Sequence, residues 1–303
     1  MGLKRASRLA MAGCVMGANA PDIDVFGPLF LPVDNIAFHR GPTHALFGLP
    51  VVAGAVVALL WLYDRWRPGR DGTPPFRAGA LFGAVLIAVA SHPFLDWLTT
   101  YAVAFFAPVG SRWYSANAIF IIDWVYWILL VTGIVWSRQR TRTGRPDAAR
   151  PAQLMGAVLL LYIGGNIAWS LHAERMAATA LRRRGIEPEL IVPSPPPLAF
   201  WNRTIAWRSA TLGGSGTLTP GGGLRLAPTA EPLRLDDPRL LRARAQRRAV
   251  RSFLYWSRMP IVVEQDGRTF LTDQRYYRAF DDESVPAPIR RRAPRGSFLV
   301  PLD

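Results

Sequence analysis

The chain has 303 residues, half of them hydrophobic, with 19% charged and a formal net charge of +15. Soluble proteins carry about 25% charged residues, so a chain this apolar and this basic reads as a membrane protein with basic loops. The hydrophobic content excludes a disordered chain, and it argues against a nucleic-acid partner, since basic modules of that kind are rarely so apolar.

In chain order, Ala6–Ala20 is an apolar stretch too short to span, read as a core or half-spanning helix. Its alternative is a cleaved signal peptide, because Lys4, Arg5 and Arg8 lead into an apolar run ending in small residues. Ala45–Tyr63 is an uninterrupted apolar run of about 19 residues, enough for roughly 30 Å of hydrocarbon. Ala78–Thr100, Ile119–Trp136 and Gln153–Leu171 follow as further spans. Residues 1–172 therefore form a polytopic helical domain of four to five spans, and the fold class is mainly α.

Past Glu174 the character changes. Leu181–Arg184 is a charge run, Pro193–Pro197 is proline-rich and Gly213–Gly223 is glycine-rich. Arg239–Trp256 reads as one basic amphipathic helix, with a solvated charged face favoured over a membrane-surface role. Pro260–Val263 and Thr269–Leu271 read as strands around an Asp266-Gly267 turn. Residues 173–303 are expected to form a small α+β extramembrane domain. The basic residues are arginines apart from Lys4, spread over loops rather than gathered in a patch, and the single Cys14 excludes an internal disulfide.

Loop charge orients the spans. Asp64–Arg77 carries Arg65, Arg67, Arg70 and Arg77, and Ser137–Pro151 carries Arg138, Arg140, Arg142, Arg145 and Arg150. The alternate loops carry only Arg40 and Arg112. The basic loops are expected on the cytoplasmic side, with the C-terminal domain outside.

On that topology the unusual polar residues converge on the outer face. Asp22 and Asp24 follow the first segment, His39 and His44 precede the second, His92 and Asp96 end the third, and Asp123 begins the fourth. His92 and Asp96 stand four apart, hence on one side of a helix. An ionisable residue within a span costs about 2.5–3.5 kcal/mol on insertion scales, so such a pair needs mutual pairing, water or a cation. Imidazole with carboxylate suits Zn²⁺, Mn²⁺ or Fe²⁺. Singly, each residue has a plainer use: a turn for Asp22 and Asp24, a loop contact for His39 or His44, a helix cap for Asp123, a structural pair for His92 and Asp96. Jointly they favour a metal site. His172, at the end of the last span, reads as an interfacial anchor.

These elements carry a resemblance. Gly17-Ala18-Asn19-Ala20-Pro21-Asp22-Ile23-Asp24, His39-Arg40-Gly41-Pro42-Thr43-His44, Ser91-His92-Pro93-Phe94-Leu95-Asp96 through Tyr101, and Phe120-Ile121-Ile122-Asp123 resemble the YdjM-like, LexA-regulated family of inner-membrane metal-dependent hydrolases. Pro193-Ser194-Pro195, Phe200-Trp201 and Trp256 through Pro260 resemble its extramembrane segment. The resemblance implies a divalent-metal hydrolase of the bacterial inner membrane. Two departures stand out. Family members open with a helix bearing a Thr-His pair, and Met1 falls after that position; Trp124 replaces a frequent proline.

The chemistry expected is hydrolysis of an ester or phosphoester, possible lipid-linked compounds included, at the outer face of the membrane. A divalent metal, Zn or Mn, would lower the pKa of a bound water toward about 7 and polarise the scissile group. Asp22, Asp24, His44, His92 and Asp96 are the first ligands, with His39 and Asp123 as ligands or orienting groups. Catalytic duty as general base falls to a spare carboxylate or imidazole among Asp22, Asp24, His39 and Asp123. Arg40 and Arg112 would steady an anionic substrate, with ordinary snorkelling as their alternative. Membrane lipids are the expected partners. The rival readings are a transporter or metal carrier, which would extend polar residues across the bilayer, and a scaffold, which would tolerate loss of His92 and Asp96.

Overall fold

The computed structural model describes residues 7–69, 72–277 and 298–303. Lys4, Arg5 and Arg70, counted above in the charge pattern, lie outside the described residues. The chain divides into two compact units, residues 1–115 and 116–303.

The first unit is helical. Helix α1 (Ala10–Asn19) is ten residues long, about 15 Å, so it cannot cross a bilayer alone. It runs into a 3-10 segment, Ala20–Phe26, followed by single turns at Gly27–Phe30 and Asn35–Phe38. Helices α2 (Gly48–Trp66) and α3 (Ala78–Leu98) form a hairpin. Their common core is apolar: Ala53, Val56, Leu60, Leu81, Val85 and Val89. Without water to drive helices together, close packing in a membrane relies on small residues. Gly17 of α1 meets that need, since a Cβ there would stand 3.1 Å from the Val85 carbonyl oxygen. This contact brings the end of α1 against the middle of α3.

In the second unit, α4 (Trp124–Arg142) and the 34-residue α5 (Arg150–Arg183) form another hairpin. Ser137 Oγ accepts the Ala152 N–H at 3.1 Å near its closed end. The C-terminal third of α5 leaves the apolar zone and packs on a sheet in the order β1 (Leu190–Ser194), β2 (Arg203–Arg208), β3 (Leu212–Thr219), β4 (Gly223–Leu226), with β5 (Glu231–Pro232) also paired to β3. Ala173, Ala177 and Leu181 of α5 meet Ile191, Ile205, Trp207 and Leu218. After helices α6 (Pro238–Gln246) and α7 (Arg248–Trp256), a smaller sheet contains β6 (Pro260–Gln265), β7 (Arg268–Asp273) and β8 (Val300–Pro301).

Among the described residues three helices are long and apolar enough to cross a membrane: α2, α3 and α5. By that measure α4, the fourth helix of the expected count of four to five, falls short. The apolar run that starts at Ile119 becomes helical only at Trp124, and α4 ends on Arg140 and Arg142. The proline-rich and glycine-rich stretches contribute to strands β1 and β3. Pro193 fits β1 opposite Ile205, and Gly214 lies under the Trp207 ring, where a side chain could not. The helix expected over Arg239–Trp256 is two helices, broken at Arg247 by an extended ψ of 121°. The hairpin at Asp266-Gly267 forms as expected, with both residues at positive φ. Helix α5 runs without interruption through 172/173, the boundary read from composition.

Candidate metal centre

Three pieces of the first unit build the centre. Pro21 opens the 3-10 segment that holds Asp22 half-exposed and Asp24 buried. The turn from His39 to Gly48 folds back sharply; a Cβ at Gly48 would overlap the Pro42 carbonyl oxygen, so this close approach requires glycine. Arg40 takes a left-handed conformation, φ 62°, and its N–H donates to Asp24 Oδ2 at 3.1 Å. The last turns of α3 present His92 and Asp96 on one side.

Four side-chain atoms converge. Asp22 Oδ1 lies 3.5 Å from His44 Nε2 and 3.1 Å from His92 Nε2. Asp96 Oδ2 lies 3.4 Å from each of the same two nitrogens. Donors about 2.0–2.1 Å from a tetrahedral ion stand about 3.3 Å from one another, which is the spacing found. The buried Nε2 of His44 and Oδ2 of Asp96 have no hydrogen-bond partner. Buried polar atoms are nearly always hydrogen-bonded, so two such atoms without a hydrogen bond, aimed at one point, fit a cation. Asp22, Asp24 and His39 form a second, adjoining group of the same kind.

Surrounding groups fix these donors. His92 Nδ1 stands 2.7 Å from the Ala18 carbonyl oxygen; a carbonyl can only accept, so Nδ1 donates there and Nε2 is the nitrogen turned toward Asp22 and Asp96. His44 Nδ1 faces Asp24 Oδ2 at 3.2 Å and Thr43 Oγ1 at 3.0 Å, which leaves its Nε2 as the ligand in the same way. Such carboxylate–histidine pairs orient metal ligands. Asp24 also accepts from His39 Nδ1 at 2.8 Å and from Thr43 Oγ1 at 2.7 Å. Arg40 holds the other oxygen of Asp96 at 2.9 Å, bonds Thr99 at 3.3 Å, and lies 4.7 Å over the Tyr101 ring.

The electrostatics follow. His44 and then His92, 3.5 and 3.1 Å away, hold the Asp22 carboxyl far below its usual range. Burial would raise Asp24, but His39, His44 and Thr43 outweigh it and hold it low. Burial would lower His44, but Asp22, Asp24 and Asp96 carry it up to about 9. The centre therefore attracts positive charge, as a proton or as a cation.

Of the residues singled out from sequence, Asp22, Asp24, His39, His44, His92 and Asp96 come together. Arg40 lies against them, buried and engaged with Asp96. Arg112 is exposed, its guanidinium 5.3 Å from the Tyr114 ring. Asp123 belongs to the second unit, where it caps α4 through the Tyr126 N–H at 2.9 Å and accepts from Tyr162 at 2.8 Å. His172 is exposed and stacks on Trp169 at 5.4 Å. Sequence reasoning missed Thr43, Thr99, Tyr101 and the Ala18 carbonyl. Thr43 alone offered a signal, standing next to His44 in a turn.

The family described as YdjM inner membrane protein matches residues 2–173. The chain belongs to that family. The match holds all six converging residues and stops within α5, so the sheets and α6–α7 lie beyond it. No curated protein and no solved structure matches the chain. The family and the three apolar helices together make this an inner membrane protein.

Proposed function

We propose that this YdjM-family protein is a membrane-bound, metal-dependent hydrolase acting on an ester or phosphoester at the outer face of the inner membrane. The observation that carries the reading is the convergence of buried His44 Nε2 and Asp96 Oδ2, neither hydrogen-bonded, with Asp22 and His92. Those four residues would hold the ion, zinc or manganese by donor type; Asp24 would orient His44, and Arg40 would orient Asp96. Such an ion supplies Lewis-acid polarisation and lowers the pKa of water at the site. Asp22 is the carboxylate with most access to solvent, 49% exposed against 0% for Asp24, so it is the ligand beside which water and substrate would enter. His39 adjoins Asp24 and would act as general base or help hold a second ion. Arg112, exposed on its loop, is the group free to meet an anionic substrate. Asp123 serves the second unit by capping α4.

The arginine-rich loops 64–77 and 137–151 face the cytoplasm, α4 crosses with the other three helices, and the C-terminal region lies outside. A site at the outer ends of α2 and α3 lies at headgroup depth, where a lipid's ester or phosphate arrives by lateral diffusion. A metal carrier is the weaker reading, because a path needs polar groups across the bilayer, and the inner-half positions Val56, Leu60 and Leu81 are buried and apolar.

Protein reconstituted with Zn²⁺ or Mn²⁺ and offered phospholipids and lipid-linked phosphates tests the activity beside an Asp22→Asn control. Turnover is expected with wild type alone. Equal turnover in both, or turnover confined to small soluble esters, overturns the assignment.

A further inference from the structure

Away from the metal centre, the second unit has an apolar groove of about 380 Å³ where α5 meets the loop before β2. Its walls are Leu161, Tyr162, Trp169, Phe200 and Trp201, and its floor includes Gly165. The polar ends of three lining residues are engaged. The Tyr162 hydroxyl donates to Asp123 at 2.8 Å, Asn166 Oδ1 accepts from Arg203 at 2.9 Å, and Trp169 Nε1 donates to the Trp201 carbonyl at 2.9 Å. These bonds fix the rings and leave the groove almost no polar group to offer. A ligand for it must be hydrocarbon.

Position on the helix says which hydrocarbon. Gly165 stands nine residues, about 13 Å of helix, before Glu174, within the apolar stretch of a candidate span. The groove is continuous with the exposed apolar surface of that span, at Leu160, Leu161 and Leu171. At that depth a bilayer presents acyl chains rather than headgroups. We infer that this groove holds one hydrocarbon chain of a membrane lipid in a fixed place. The inference rests on α5 crossing the membrane and is independent of hydrolysis.

A Cβ at Gly165 would meet nothing within 4 Å, so Gly165→Leu fills the groove without a clash, and leucine is the better helix former. The test uses vesicles of phosphatidylethanolamine and phosphatidylglycerol doped with a phospholipid bearing a photoactivatable diazirine on one acyl chain. Adducts are then mapped by mass spectrometry. Wild type is expected to label at 161–169 and 198–201 more densely than at Val51 and Leu59, exposed apolar residues of α2. Gly165→Leu should lower groove labelling at least about tenfold, the loss of roughly two buried methylenes. Labelling of α2 and metal content should stay unchanged. Groove labelling no denser than that of α2, labelling unchanged in the variant, or crosslinks joining two copies through these residues would overturn the inference.

Discussion

Two buried polar clusters stand beside membrane helices in this protein, and they are finished differently. In the second unit Arg203 is fully buried, and burial pushes it down only to about 10, so it stays charged at neutral pH. Its three nitrogens bond Ser170 Oγ, the carbonyls of Phe200, Asn202 and Asn166, and Asn166 Oδ1. Nearby Asp123 has both oxygens satisfied by Tyr126 and Tyr162. In the first unit, the centre has equally well-fixed histidines and carboxylates, yet His44 Nε2 and Asp96 Oδ2 are left without hydrogen-bond partners. Complete satisfaction marks a structural device; fixed but incomplete satisfaction marks a place for a ligand. The two clusters should accordingly fail in different ways.

The largest expected effect is on metal content. His44→Ala removes a donor buried at the centre of the ligand set, and affinity for Zn²⁺ should fall by more than about 100-fold, the most that loss of a supporting partner usually costs. Metal analysis of protein purified in detergent reads this directly. Wild-type metal content in the folded variant would break the distinction between the clusters.

Arg203→Met should do the reverse. It leaves Asn166, Ser170 and two loop carbonyls without their donor in a dry site, at about 3 kcal/mol or more in total. Unfolding in detergent should shift accordingly, while metal bound per folded molecule stays at the wild-type level. A variant that lost metal but kept its stability would reverse the assignment.

A smaller effect is expected for the orienting groups. Asp24→Asn keeps the shape but weakens the hold on His44 and His39, so metal affinity should fall about 10–100-fold. If Asp24 instead contributes a ligand to an adjoining second ion, the stoichiometry changes from two to one while the affinity of the first ion changes little. Titration calorimetry separates these outcomes.

The sequence made one half of this comparison far more legible than the other. Helical spacing puts His92 and Asp96 on one side, and loop order brings Asp22, Asp24, His39 and His44 to the same end of the α2–α3 hairpin. Local rules therefore sufficed for the residues of the centre. They gave Arg40 to a substrate, because the tight turn at Gly48 and the left-handed φ that turn this arginine back on Asp96 are tertiary facts. The carbonyl of Ala18 leaves no trace in the side-chain pattern at all. In the second unit, Pro193 and the glycines of β3 obscured the larger sheet. Those glycines are demanded by neighbouring side chains such as Trp207 rather than by turns. Asp123 joined the expected metal set by its place in the chain, and in the structure its carboxylate accepts from Tyr126 and Tyr162.

The smallest and most diagnostic effect is that of pH. Without a cation, His44 is protonated below about 9, and an imidazole must be neutral at the coordinating nitrogen to bind metal. Metal binding at pH 7 should therefore release a proton from His44. Affinity should rise with pH by about tenfold per unit for each proton released, the contribution of His44 levelling off as pH passes about 9. The sign follows from the raised value: an unperturbed histidine, near about 6.5, would level off more than two units earlier. Proton release appears in calorimetry as a dependence of the binding heat on the buffer's ionisation heat. In the Asp24→Asn variant one of the carboxylates that raise His44 is lost, so the plateau should begin at lower pH. The Arg203 cluster, with every donor and acceptor already engaged, should contribute nothing to this dependence, and Arg203→Met should leave the curve where it was. A plateau near pH 7 in wild type would show that the carboxylates do not hold a proton on His44, and the distinction between an unfinished site and a finished one would lose its electrostatic basis.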